Sequence, residues 1–191
     1  MGVINSPTTS NLPSPTEISD GENNVARENQ RRYDRGIRVW GAHGQENLEK
    51  SRVCLLNAGA TGSEALKNLV LGGISFFTIV DGNKVKPSDL GANYLVTENC
   101  LGHSRAECVA ACLKELNENV HGSYIDEEPG TILANRPEFF AGFDIVIGTQ
   151  LHESDAVAVD NICRAQGTRL LLSRSYGLVG YVRVGEYCTF F

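Results

Sequence analysis

The chain has 191 residues, enough for one ordinary domain, and sets 17 Lys and Arg against 23 Asp and Glu for a formal net charge of −6. That balance excludes a general phosphate-backbone binder, which needs basic excess to displace counterions. No apolar run approaches the roughly 20 residues that cross a bilayer, and no N-terminal apolar block resembles a signal peptide, so neither nucleic acid nor membrane is expected as a partner.

Residues 1–30 are polar, rich in Ser, Thr, Pro, Asn and Glu, and depress the apolar fraction of the chain to 41%. Such a segment cannot bury enough apolar surface to offset its ordering entropy, and it reads as a disordered tail. Met1-Gly2 with Ser6 is too little to support a myristoylation signal. From Tyr33 to Gly41 the chain becomes aromatic, basic and glycine-punctuated, and Gln45 to Lys50 reads as a short polar helix. Arg52 to Asn57 is an apolar run suited to a buried parallel strand. It enters a glycine turn, Ala58 to Gly62, followed by Ala65, Leu66, Leu69 and Val70 at helical spacing, with Thr61 and Glu64 spaced as a capping box.

Phe76 to Val80 is a second buried strand, ending at Asp81. After a polar loop, Ser104-x-x-Glu107 opens the clearest helix, whose apolar stripe is Ala106, Val109, Ala110, Leu113 and Leu116. Further strands are expected at Ser123–Glu127, Phe143–Gly148, Arg169–Leu172 and Tyr181–Val184, with a helix near Asp155–Ala165. Strands alternating with helices predict an α/β fold with a mostly parallel sheet. The six cysteines, Cys54, Cys100, Cys108, Cys112, Cys163 and Cys188, include no C-x-x-C pair and read as reduced intracellular thiols. Cys108 and Cys112, a helical turn apart, lack a third metal ligand and read as packing residues.

The turn after the first strand is the main chemical signal. A dinucleotide fingerprint needs G-x-G-x-x-G there, with an acid at the end of the next strand to hold a ribose hydroxyl. Asn57, Gly59 and Gly62 occupy the three glycine positions, and Asp81 stands at the strand end. Two readings are open on spacing alone: a nucleotide pocket, or a turn made by two glycines beside a loop-capping acid.

Tyr33-Asp34-Arg35, Trp40-Gly41, His43 to Glu46, Ala60 to Glu64, Phe77 to Gly82, Leu113 to Asn117, Gly148 to Leu151 and Ser175 to Tyr181 occur in an order that resembles the activating enzymes of ubiquitin-like proteins. These share a fold with bacterial adenylyltransferases of the ThiF and MoeB type. Within that group the resemblance is to the regulatory, non-cysteine subunit of the neddylation enzyme. It implies a Rossmann-like, mostly parallel sheet over residues 31–184, incomplete at the C-terminus, with residues 185–191 as an unrelated tail. It further implies a cytoplasmic and nuclear protein whose partners are a cysteine-bearing catalytic subunit and a ubiquitin-like modifier.

The resemblance also implies a vestigial pocket at Asn57, Gly59, Gly62 and Asp81. Active relatives have an arginine in an Asn-Leu-Asn-Arg-Gln stretch where this chain has Ala92, a lysine where it has Arg105, and a magnesium-binding aspartate where it has Leu151. No catalytic residue, metal or cofactor is expected in this chain itself; ATP and magnesium belong to the partner. Arg35, in the Tyr-Asp-Arg segment, is implied to reach the partner's ATP, although Gly36 stands where the family has Gln. The competing readings are a self-sufficient adenylyltransferase or dehydrogenase, and an inactive truncated fragment.

Overall fold

The structure is a computed structural model that describes residues 31–185. The expected polar tail, 1–30, and all but the first residue of the expected C-terminal tail lie outside the described residues. Six strands are joined by helices: α1 (Asp34–Leu48), β1 (Arg52–Leu56), α2 (Ala60–Gly72), β2 (Phe76–Val80), α3 (Pro87–Leu90), α4 (Arg105–Leu116), β3 (His121–Ile125), α5 (Pro129–Asn135), β4 (Ile145–Thr149), α6 (Glu153–Gln166), β5 (Arg169–Tyr176) and β6 (Val179–Gly185). The sheet order is β3-β2-β1-β4-β5-β6.

β1 lies at the centre because it is apolar on both faces. Leu55 sits in register with Ile79 of β2 on one side and Ile147 of β4 on the other. Side chains of a strand alternate between faces, and β1 divides accordingly. Val53 and Leu55 pack with Leu66 and Val70 of α2 and Val109 and Leu113 of α4. Cys54 and Leu56 pack with Ile132 of α5, Phe140, and Val159 and Cys163 of α6. Covering both faces is what permits parallel strands such as β1 and β2 to carry apolar residues on both sides. From β1 the chain goes outward through β2 to β3, then returns to β4 on the other flank of β1. The loops leaving β1 and β4 therefore diverge above the sheet and leave a crevice at their C-terminal ends.

Several expectations are corrected. The helix expected at Gln45–Lys50 is the end of a longer element, Asp34–Leu48, bent at Gly41 (φ 78°, ψ 168°). Its first half carries no apolar stripe, so periodicity could not reveal it. The capping box of Thr61 and Glu64 does not form, because α2 starts earlier, with Gly59 as its N-cap, and Glu64 pairs with Lys67 instead. Ser104 is the N-cap of α4, but its side chain makes no capping bond, and Glu107 accepts a hydrogen bond from the Tyr124 hydroxyl on β3 (3.0 Å). β3 lies two residues earlier than expected, and β4 begins at Ile145. β5 is twice its expected length because it continues through a two-residue turn, Gly177-Leu178, into antiparallel β6. β6 runs to Gly185, which pairs with Leu170.

Candidate functional site

The crevice has a volume of about 790 Å³ and is lined by Asn57, Gly59 and Thr61 from the first turn, by Thr149 and Gln150 from the end of β4, and by Arg105, Glu128 and Asp155. Asn57 makes the turn that a first glycine would make, at φ 65°. Asparagine tolerates this left-handed conformation better than most side chains. Its amide nitrogen donates to the Thr149 carbonyl (3.0 Å), and the Thr149 hydroxyl donates to the Asn57 carbonyl (2.6 Å). The two strand ends are thereby tied together across the switch point. Gly62 lies behind this tie rather than in the crevice: a Cβ there would stand 2.5 Å from the Asn57 carbonyl oxygen and 2.7 Å from Thr149 Oγ1. Its role is close packing of α2 on the sheet.

Asp81 stands at the end of β2 as the sequence placed it, but it does not line the crevice. It is fully buried, and both of its oxygens are occupied. Oδ2 accepts from the Ala58 amide (2.8 Å) and from Arg105 Nε (2.7 Å). Oδ1 accepts from the Asn83 backbone (3.0 Å) and side-chain (2.9 Å) nitrogens. A carboxylate with four donors has no capacity left for a ribose hydroxyl. Arg105 also reaches Asp89 (3.4 Å), so the one Arg or Lys lining the crevice among the described residues is shared between two carboxylates.

These residues do not fit a magnesium–triphosphate group. Glu128 and Asp155 in the lining oppose a polyanion, and the arginine that would attract it is already paired with Asp81 and Asp89. Leu151, the position implied to have lost a metal ligand, is buried among Val146, Val159 and Leu172. Ala92 borders a separate groove beside α2 with Thr61 and Tyr94. Among the described residues, no group of three His, Cys, Asp or Glu side chains is arranged to hold a metal ion.

Arg35 lies at the opposite end of α2 from the crevice. Tyr33 is buried against Gly73, just past the end of that helix, and its hydroxyl accepts from Asn117 Nδ2 (3.0 Å), which also donates to the Val70 carbonyl (2.8 Å). Gln45, buried near the other end of α1, donates to the Gly72 carbonyl (3.0 Å) and accepts from Trp40 Nε1 (3.1 Å). Gly36 and Gly44 clear space for the Trp40 ring, since a Cβ at either would come within 2.8 Å of it. A side chain at position 36 would crowd that ring. Asp34 pairs with Arg38 (3.0 Å), and the Arg35 side chain is exposed to solvent from a helix pinned at both ends.

The ordering power of Tyr33, Asn117 and Gln45 was not read from the sequence. Buried polar side chains leave no periodic trace, and their only signal is a polar residue inside an otherwise apolar neighbourhood. The Asp81–Arg105 pair leaves no sequence signal either, because its members are 24 positions apart and meet only in the fold.

The sequence model of the ThiF family matches residues 33–187, which includes the crevice, α1 and all six strands. The chain belongs to the ThiF family. This ThiF-family chain is 51% identical over 153 residues to the NEDD8-activating enzyme E1 regulatory subunit AXL of Arabidopsis thaliana, covering 80% of the chain and 29% of that protein. It is 48% identical over 155 residues to the NEDD8-activating enzyme E1 regulatory subunit of Gallus gallus, covering 81% of the chain and again 29% of the relative. The chain thus spans less than a third of the length of these curated relatives. Among solved structures, the E. coli tRNA N6-threonylcarbamoyladenosine dehydratase TcdA, in complex with AMP, superposes with a TM-score of 0.67 at 20% identity, covering 75% of this chain and 58% of that one. PaaA superposes at 0.66 and 18%, covering 96% and 54%. At such identities the likeness establishes the ThiF-type fold and no function.

Proposed function

We propose that this chain acts as the regulatory, non-catalytic subunit of a heterodimeric activating enzyme for a ubiquitin-like modifier, in the neddylation branch. In this reading a cysteine-bearing partner binds ATP and magnesium and adenylates the modifier, in cytoplasm and nucleus, while this chain completes the partner's site. The observation that carries the proposal is the likeness, at about half identity, to relatives named as NEDD8-activating enzyme regulatory subunits. Its support in the geometry is the contrast between an inward-turned crevice and an outward-turned arginine. The charges of Asp81 and Arg105 are spent on each other, whereas Arg35 stands exposed on an anchored helix. A guanidinium suits an in-trans role because it keeps its charge and offers a fork of donors to phosphate oxygens.

The test is ATP–pyrophosphate exchange by this chain reconstituted with a cysteine-bearing partner and modifier. Arg35→Ala is expected to leave assembly intact and slow exchange by about 10²–10³, the usual consequence of losing one charge-stabilising donor. Arg35→Lys should recover part of the rate, since it keeps charge without the fork. Unchanged exchange by an assembled Arg35→Ala pair overturns the role of Arg35. Saturable, magnesium-dependent ATP binding by the isolated chain would instead favour the self-sufficient adenylyltransferase.

A further inference from the structure

The two edges of the sheet are finished differently. β3 forms one edge, and its one large exposed apolar side chain, Tyr124, has its hydroxyl held by Glu107 (3.0 Å). The residue that follows β3, Asp126, pairs with Lys84 (2.6 Å). β6 forms the other edge and, among the described residues, pairs with β5 alone. Its Val179, Tyr181, Val182 and Val184 are 49–71% exposed, and Leu178 in the turn before it is fully so. Alternate residues of an edge strand turn their N–H and C=O groups away from the sheet, so β6 sets an unpaired backbone row between apolar side chains. Lysine, proline or a bulge usually blunts such an edge, and β6 contains none of them. Its one charged residue, Arg183, is paired with Asp160 of α6 (2.9 Å).

The sequence of β6 suits a second copy of itself. Directly opposed residues of an antiparallel pair lie on the same face. The strand reads Val179-Gly180-Tyr181-Val182-Arg183-Val184-Gly185. About a two-fold axis through Val182, Gly180 opposes Val184 of the second copy, Val179 opposes Gly185, and Tyr181 opposes Arg183. Each valine off the axis meets a glycine, and each guanidinium meets an aromatic ring in place of its own like charge. A two-fold interface requires self-complementarity of this kind. The exposed apolar side chains of β6 and Leu178 offer on the order of 600 Å² per copy, about 1,200 Å² for the pair, which reaches the lower end of stable interfaces.

We propose that β6 is a self-association edge, through which two copies of this chain pair antiparallel about Val182. The two six-stranded sheets then continue as one. Both β6 edges are consumed in the pair, so association closes at the dimer. The inference does not rest on the proposed function, which uses Arg35 on α1.

Sedimentation equilibrium of the reduced 191-residue chain from roughly 1 to 200 µM tests this, since a small interface falls in that range of affinity. The expected result is a reversible passage from the 20.7 kDa monomer to the dimer. The amides of β6 should gain protection from hydrogen exchange as the dimer fills, while those of β3 should not change. Val182→Lys and Val182→Glu each bring two like charges together on the axis and should weaken dimerisation roughly tenfold or more. An equimolar mixture of the two variants should recover it, because opposite charges then meet, and that recovery also shows both variants to be folded. A wild-type chain that stays monomeric throughout overturns the proposal, and dimerisation on removal of residues 186–191 would then assign the edge to the chain's own tail. It is equally overturned by a dimer that both variants leave intact, or by growth beyond the dimer.

Discussion

The two ends of α2 treat charge in opposite ways. At its N-terminal end, buried Asp81 accepts from Arg105, Asn83 and the Ala58 amide beside the crevice. At its C-terminal end, Asn117 donates to the Tyr33 hydroxyl and the Val70 carbonyl and Gln45 donates to the Gly72 carbonyl, while Arg35 is exposed to solvent. The first network uses up its charged groups as structure. The second uses neutral groups as structure and leaves a charge available. The difference separates an end whose charges are paired from an end that leaves a charge exposed, and each end can be broken independently.

The largest effect is expected from Asp81→Ala. It leaves the part-buried Arg105 without its nearest carboxylate and the buried Ala58 amide without an acceptor. Breaking a buried ion pair from one side costs about 3–5 kcal/mol, read as a fall in the denaturant midpoint. A loss under about 1 kcal/mol would show that the pair is not a structural tie.

Tyr33→Phe tests the other end. It removes the hydroxyl that accepts from Asn117 in a buried site, although Asn117 keeps its bond to Val70. The expected cost is about 1–2 kcal/mol by the same measurement, less than at Asp81 because a neutral group is involved. No change would mean that α1 is held chiefly by Gln45.

Gly36→Ala should cost about 1 kcal/mol, since the new Cβ would meet Trp40 at 2.6 Å and the half-exposed ring can swing outward. Trp40 is the chain's one tryptophan, so its emission reports the change directly and should shift to longer wavelength. Unshifted emission would show that the ring does not need the glycine.

Arg35→Ala should have the smallest effect on stability, within about 0.5 kcal/mol, because the side chain is exposed. A loss comparable to that of Tyr33→Phe would make Arg35 part of what holds α1 in place instead of a charge left exposed.

Much of the parallel sheet was legible because its strands are short apolar runs bounded by turn residues. Phe76–Val80 was placed without error, and Arg52–Leu56 within one residue. Only the end of α1 is legible, at Gln45–Lys50, and the short helices α3 and α5 are not, since glycine and polar residues in the first and shortness in the others erase the apolar period. At the site, the turn at Asn57 and Gly59 was found from spacing. What the spacing could not convey was the direction of the Asp81 carboxylate, which depends on Arg105 arriving from the start of α4.

The sequence by itself determined the alternation of strands and helices, the position of the glycine turn between β1 and α2, and the residues absent from it. Those properties are local: apolar period, turn chemistry and the identity of single side chains. Only the tertiary structure decided that Asp81 is closed off, that Asn57 locks onto Thr149, and that Arg35 stands exposed outside the lining of the chain's own crevice. Each of these depends on which groups become neighbours when the chain returns from β3 to β4 and when α1 docks on the end of α2. A polar group's role is set by its nearest partner, and that partner is chosen by packing.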